Sequence, residues 1–202
     1  WPERLIVAQK VADSNSASHP KSNRRIVMEI ERKWLLNSLP KNLTFWDQYT
    51  TIEQAYLTIE KFSDVITKEV RVRKKTTANG EIDYKLAYKI GSGLVREEIE
   101  TPITEDFWKE CTKNVIPIRK KYYTETCKCP HYKDDDLTQT FTVEFSEVDG
   151  GEFYYAEVEF NSVEEANYFQ FPYPSLVIKE ATNDDSVRMA NYWIKTAYRR
   201  MG

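Results

Sequence analysis

Short runs in which charged residues alternate with aliphatic ones recur along this chain, and they constrain its fold more than any other feature. In "EIERK", a β-strand puts Glu29, Glu31 and Lys33 on one side and Ile30 and Arg32 on the other. Arg71 and Arg73 flank Val72, Glu98 and Glu100 flank Ile99 with Arg96 in the same parity, and Glu157 and Glu159 flank Val158. Arg119 and Lys121 share a parity across Lys120. One such pair is what a solvated sheet face looks like, because antiparallel sheets usually keep one side wet. The set reads differently. The pairs are mostly same-sign on a given strand, whereas a protein surface intersperses signs, and the Val and Ile residues opposite need cover. The pattern predicts strands that are apolar outside and charged inside. Such an interior stands only where opposite charges or a ligand neutralise it. Basic strands suit a polyanion, acidic strands suit a hard divalent cation that prefers oxygen ligands, and a polyphosphate with its metal supplies both.

The strand signals run from about residue 26. They are "RIVMEIERKWLL", "TTIEQAYLTIE", "TKEVRVRKK", "IDYKLAYKI", "LVREEIETPI", "PIRKKYYTETC", "TQTFTVEFSEV" and "FYYAEVEF". Asn79-Gly80 marks a hairpin turn, and Asp149-Gly150-Gly151 marks another. A helix is expected over "TEDFWKECTKNV", with Thr104 as N-cap. A second is expected at "SVEEANYF", with a capping box from Ser162 to Glu165, and a third over "DDSVRMANYWIKTAYRR". The order is an antiparallel meander of eight strands, the number at which a sheet closes into a small barrel. The fold class is therefore α+β: an eight-stranded antiparallel barrel with a charged interior and flanking helices. Residues 1–25, with the polar run "KVADSNSASHPKSNRR", read as a flexible N-terminal tail or linker, and residues 26–202 as the folded domain.

Composition narrows the function classes. Of 202 residues, 41% are hydrophobic and 30% charged, enough for one domain with a sizeable core. With 29 basic and 32 acidic residues the net charge is −3, which leaves no nucleic-acid footprint. No apolar run is long enough for a membrane-spanning helix. Three cysteines cannot all pair within one chain, which points to a reducing, cytoplasmic setting. "CKCPH" brings Cys127, Cys129 and His131 close in sequence, but no fourth zinc ligand stands at a recognisable spacing. Neither His19 nor His131 lies in a charged strand, so nucleophilic triads are unsupported. The chain begins at Trp1, and a fused N-terminal domain or a homodimer is left open.

"MEIERKWLL" resembles the ExExK signature of the CYTH domain, the triphosphate tunnel metalloenzymes. The resemblance runs from Val27 to Ala197 through "EQAYL", "EVRVRKK", "YKLAYKIGSGLVREEIE", "IRKKYY", "FTVEF", "AEVEF", "SVEEA" and "KEAT", which stand in the family's order. It implies a closed antiparallel tunnel that binds a triphosphate and Mg²⁺ or Mn²⁺. Glu29, Glu31, Glu144, Glu157 and Glu159 are the implied metal ligands. Lys33, Arg71, Arg73 and Lys89 are implied on phosphate. Arg119 and Lys121 fall at the family's K-x-R pair with the two basic types exchanged, which moves any bidentate geometry. Arg96 and Lys179 complete the substrate set, and Glu29, Glu31, Lys33 and Arg73 are the implied catalytic group. Beside these implications, Arg96, Glu98 and Glu100 also read as a scaffold of mutual pairs. Lys75 and Lys85 read as surface lysines. Tyr56 reads as core, with a hydroxyl placed to restrain Lys33.

The expected activity is metal-dependent hydrolysis of a triphosphate, inorganic tripolyphosphate first. A class IV-type adenylate cyclase, a thiamine triphosphatase and a non-catalytic polyphosphate- or nucleotide-binding module are the alternatives. Four or more inward carboxylates favour catalysis, because simple anion binding has no use for them.

Overall fold

The computed structural model describes residues 27–44, 48–63, 65–131 and 134–201. The expected N-terminal tail, with His19, lies outside the described residues.

Nine strands form one antiparallel sheet: β1 (Val27–Leu36), β2 (Thr50–Phe62), β3 (Val65–Thr76), β4 (Ile82–Ile90), β5 (Val95–Pro102), β6 (Ile118–His131), β7 (Asp134–Val148), β8 (Phe153–Phe160) and β9 (Val177–Glu180). Four α-helices accompany them: α1 (Lys41–Thr44), α2 (Glu105–Thr112), α3 (Val163–Tyr168) and α4 (Met189–Lys195). The strand order β5-β4-β3-β2-β6-β7-β8-β1 returns on itself through a further β5–β1 pairing, so eight strands form a ring. The closure divides one edge of β1. Val27 to Ile30 pair with β5, while Trp34 to Leu36 pair with β9, which is outside the ring and absent from the sequence expectation. Between them, Glu31 N donates to Leu94 O at 3.0 Å, Lys33 N to Thr182 Oγ1 at 3.1 Å and Ala181 N to Lys33 O at 2.8 Å. The edge left by two short neighbours is thereby satisfied.

The apolar residues between the charges cover the outside, as the alternation requires. Trp34, Leu36, Phe141, Val143, Phe145, Val158 and Phe160 form one buried cluster with Ala166 and Phe169. A second cluster joins Ala55, Val72 and Trp108 of α2 to Ile118, Val148 and Tyr155 and to Met189 and Trp193 of α4. In it Phe153 and Tyr192 meet edge-on at 5.0 Å between ring centroids. Among the described residues no helix is long and apolar enough to cross a membrane.

Local signals mostly hold. The Thr104 side chain accepts from Phe107 N at 3.2 Å. Ser162 Oγ accepts from Glu165 N, while Glu165 Oε2 takes the N–H of Asn161 rather than that of Ser162. The expected C-terminal helix is broken: 3₁₀ turns at Asp185–Val187 and Ala197–Arg199 flank α4, and Arg188 is extended (φ −66°, ψ 143°). Its side chain is drawn 2.9 Å from Ile66 O, a tertiary contact that overrides the local helical preference. The segment around "CKCPH" forms the end of a β6–β7 arm in which the strands run to His131 and from Asp134. Pro130 is tolerated there because the arm has only two strands.

Arg32 shows what the outward half of "EIERK" does. Its guanidinium donates to both Glu180 oxygens, at 2.8 and 2.7 Å, and to the carbonyls of Ala166 and Phe169, at 2.6 and 2.8 Å. It ties α3 and β9 to β1. Arg32→Ala is expected to destabilise the fold by about 2–3 kcal/mol, since charge-assisted bonds to part-buried carbonyls are lost. Chemical denaturation of the variant checks this, and an unchanged midpoint would contradict it.

Candidate active site

The ring encloses a cavity of about 220 Å³ lined by eight basic and eight acidic side chains. β1 supplies Glu29, Glu31 and Lys33; β3 supplies Glu69, Arg71, Arg73 and Lys75; β4 supplies Lys89; β5 supplies Arg96, Glu98 and Glu100. β6 supplies Lys120 and Tyr122, β7 Glu144, and β8 Tyr155, Glu157 and Glu159. Arg188 and Met189 come from the segment entering α4. In an antiparallel pair, residues directly opposite share a face, so one inward residue fixes its partners. Lys33 faces Glu157, Glu31 faces Glu159, Glu29 faces Arg96, and Glu144 faces Glu157.

The charges are neutralised by pairing. Lys33 Nζ donates to Glu157 at 2.6 Å and lies 4.0 Å above the Tyr155 ring. Lys89 Nζ donates to both oxygens of Glu29, at 2.7 and 2.9 Å, and stands 3.2 Å from Glu98. Arg96 bridges Glu29 at 3.1 Å and Glu31 at 2.9 Å. Arg73 and Lys85 hold the two oxygens of Glu100 at 2.8 Å each. Arg71 makes longer ion pairs than Arg73 or Arg96, 4.0 Å from both Glu69 and Glu98, and its guanidinium bonds the Tyr56 hydroxyl. Lys120 donates to the Tyr155 hydroxyl at 2.8 Å.

Ligand oxygens of Glu29, Glu31 and Glu159 lie within 4.8 Å of one another, the one group among the described residues with the composition and spacing of a metal site. Three carboxylates and no softer donor fit a hard divalent ion. Their protonation tells the same story. Burial and then the charge of Glu157 push Glu31 up to about 7, against the pull of Arg96. Burial, Glu144 and Glu29 push Glu159 up to about 7. Burial also acts on Glu157, but Lys33 and Lys120 outweigh it and hold that carboxyl down at about 2. Burial acts on Glu29 as well, and is outweighed by Lys89 and Arg96, so its pKa is lowered. Glu31 and Glu159 thus lack sufficient cationic compensation. Beside Glu157, burial and then Arg71, Lys33 and Arg73 bring the Lys120 ammonium down to about 7, although Glu157 pulls the other way.

The structure brings Glu29, Glu31, Lys33, Arg71, Arg73, Lys89, Arg96, Glu144, Glu157 and Glu159 together in this cavity. It leaves out three of the expected substrate residues. Arg119 is 70% exposed and bonds Glu53 at 2.9 Å. Lys121 stands over the Tyr49 ring at 5.0 Å and 3.8 Å from Glu147. The β2–β6 register explains both: inward Ile52 faces Lys120, so Lys120 points in and its neighbours out. Lys179 is on β9, alongside the end of β1 beyond the β5 closure, and its amine is taken by Asp184. Lys75 lines the cavity, 5.6 Å above the Tyr122 ring, rather than the surface. The Tyr56 hydroxyl accepts from Gln54 Nε2 at 3.3 Å, and the Tyr155 ring holds the place over Lys33 expected for it. Lys120, Tyr122, Glu69 and Arg188 were not expected inside. Three consecutive basic residues hide the parity of β6, and Arg188 reads as the middle of a helix. Cys127 and Cys129 lie on β6 as free thiols, and burial with the neighbouring Cys129 pushes Cys127 up to about 12.

No family profile and no curated protein matches this chain. Solved structures do. Two crystal structures of NE1496, one called a hypothetical protein and the other an inorganic triphosphatase, are each 24% identical with a TM-score of 0.43. They cover 79% and 80% of this chain over 93% and 91% of their own. The PH1819 protein from Pyrococcus horikoshii OT3 is 21% identical with a TM-score of 0.43, over 69% of this chain and 83% of its own. In the order of its motifs and in its ring of strands around a charged cavity, the chain resembles the CYTH family.

The carboxyls set a pH dependence for the metal-free protein. Glu31 and Glu159 keep protons in the folded state up to about 7, while the unfolded chain releases them near 4.5. Stability therefore falls as pH rises through that window. Lys120 acts oppositely: the unfolded chain binds its proton up to about 10.5, the folded one only to about 7, so stability recovers above neutrality. The expected melting temperature in chelator dips near pH 7, and Glu31→Gln shallows the fall between pH 5 and 7. A melting temperature that rises steadily from pH 5 to 7 would contradict this.

Proposed function

We propose that the chain is a divalent-metal-dependent phosphoanhydride hydrolase that cleaves inorganic tripolyphosphate, with the ring of strands acting as a closed tunnel around the substrate. The observation that carries this reading is one charge-balanced cavity that holds both a three-carboxylate cluster, Glu29, Glu31 and Glu159, and basic side chains, Arg71 and Lys120 among them. Tripolyphosphate brings about four to five negative charges near neutral pH. Alone it would unbalance the cavity, whereas with Mg²⁺ or Mn²⁺ it answers both walls.

Glu29, Glu31 and Glu159 would hold the ion, with Glu157 and Glu144 beside them. A bound divalent ion supplies charge neutralisation at the phosphates and a more acidic water. The chain's own residues do the rest. Arg71, Arg73, Lys33 and Lys89 surround the cavity with donors for phosphate oxygens. Arg73, Lys33 and Lys89 are oriented into the cavity by Glu100, Glu157 and Glu29 at 2.6–2.8 Å, and each carries further N–H donors for phosphate oxygens. Lys120 gains its full charge when an anion enters, because the anion reverses the effect of burial and of its basic neighbours. In-line displacement at a terminal phosphorus needs positioning and electrostatic stabilisation rather than a protein nucleophile.

A second reading, cleavage or cyclisation of an esterified triphosphate such as ATP or thiamine triphosphate, is favoured by one feature. A groove of about 620 Å³ adjoins the acidic wall and is lined by Gln139, Thr140, Thr142 and Asn161 together with Glu29, Glu98, Glu144 and Glu159. Turnover of tripolyphosphate, ATP and thiamine triphosphate with Mg²⁺ or Mn²⁺ separates the readings. Phosphate release from tripolyphosphate at the highest kcat/KM is expected. Cyclic AMP as the main product with inert tripolyphosphate would promote the second reading, and tight binding without turnover would leave a binding module.

Two variants divide the labour. Arg73→Ala is expected to raise KM about tenfold or more and to lower kcat, since its guanidinium binds phosphate oxygens in the ground state and more strongly as charge builds on them in the transition state. Glu159→Gln is expected to lose activity that added Mn²⁺ partly restores. Metal titrations of turnover check both, and wild-type activity of the Glu159 variant at limiting metal would contradict the assignment.

A further inference from the structure

Arg188 belongs to no strand, yet its side chain lines the cavity. The residue is 8% exposed and held from several sides. Nη1 donates to Ile66 O at 2.9 Å and Gly91 O at 3.4 Å and lies 3.2 Å from Asp185. Nη2 donates to Glu69 at 3.1 Å. Nε has no hydrogen-bond partner. Glu69, 3% exposed, is a carboxylate on the basic strand β3, two residues from Arg71. The other cation paired with Glu69 is Arg71, at 4.0 Å against 3.1 Å for Arg188.

Glu69 stands within reach of Arg71 on the strand that carries the most basic residues of the cavity. A buried acid beside a phosphate site repels the anion and competes for the guanidinium meant to bind it. Resting on the triphosphate reading above, we propose that Arg188 is a positioning residue: by holding Glu69 it keeps the Arg71 guanidinium open to phosphate oxygens, so that docking of the C-terminal segment completes the anion site. The arrangement explains why the ion pairs of Arg71 are long, with its guanidinium resting on the Tyr56 hydroxyl, while Arg73 and Lys89 are tightly paired with acids. It also explains why the backbone leaves helical geometry at Arg188, where an extended residue lets the side chain reach both Glu69 and the carbonyls of β3 and the β4–β5 turn.

A merely structural arginine would do the same anchoring without any link to Glu69, and a double-substitution cycle separates the two roles. Tripolyphosphate affinity is measured by calorimetry with Mg²⁺, independently of turnover. Arg188→Ala is expected to weaken binding about tenfold, with KM rising and kcat changing far less, because ground and transition states lose the same contact. Glu69→Gln placed on top of Arg188→Ala is expected to return affinity to within about threefold of wild type, since the competing charge is gone. Arg188→Lys is expected to fall between wild type and Arg188→Ala. An unchanged affinity in folded Arg188→Ala, or no recovery in the double variant, would overturn the proposal. Should Arg188→Ala fail to fold, Glu69→Gln alone decides: affinity equal to or tighter than wild type supports the proposal, and a tenfold loss overturns it. A wild-type protein that binds tripolyphosphate without hydrolysing it would sink the hydrolase reading and leave this one standing on the binding data. One that binds none would end both.

Discussion

Mutual neutralisation of charge inside the ring is the condition on which the rest of this structure depends. Uncompensated charges in such an interior would cost several kcal/mol each. Here eight basic and eight acidic side chains share one cavity and meet across neighbouring strands. Those pairings are strand-register facts. Glu29 can reach Lys89 and Arg96 only because β5 closes the ring against β1 while pairing with β4 on its other edge. Closure and charge balance are therefore one constraint, and a ring that failed to close would strand carboxylates as well as backbone groups.

The balance is uneven in space, and the unevenness is what gives the site its chemistry. Glu157 and Glu29 are paired well enough to stay ionised, whereas Glu31 and Glu159, opposite each other in register, are not. Lys120 is discouraged from charging by burial and then by its basic neighbours. An empty cavity with acids that resist ionising and an amine that resists protonation holds unfavourable interactions that a cation and an anion would relieve together. The same logic gives the C-terminal segment a part in the site, because Arg188 brings a positive charge closer to Glu69, at 3.1 Å, than the ring's own Arg71 does at 4.0 Å.

Much of this was legible in the sequence because the strand period is two and one inward residue fixes the rest of its strand. "EIERK", "VRVR", "REEIE" and "AEVEF" each carry an aliphatic residue between charges, which marks the two faces, and the structure brings the charges that share the inward parity of each into the cavity, leaving Arg32 and Glu97 out of it. "IRKKYY" carries no such mark: Arg119, Lys120 and Lys121 are all basic, and only the pairing of Ile52 with Lys120 reveals which one is inside. Lys179 was misplaced for a different reason. β9 is too short to announce itself, and its position outside the ring is a fact of topology. The extended Arg188 within "DDSVRMANYWI" is set by carbonyls more than ninety residues away in sequence, which no local propensity encodes.

The central claim, that one cavity takes a polyanion and a divalent cation as a pair, is tested most directly by the linkage between them. Calorimetric titration of tripolyphosphate into the protein, once in excess Mg²⁺ and once in chelator, measures it. The expected result is an affinity at least about tenfold tighter with the metal, the coupling that charge compensation across the cavity requires. Equal affinity in the two conditions would contradict it, and would mean that the acids of "EIERK" and "AEVEF" serve only to hold the ring together.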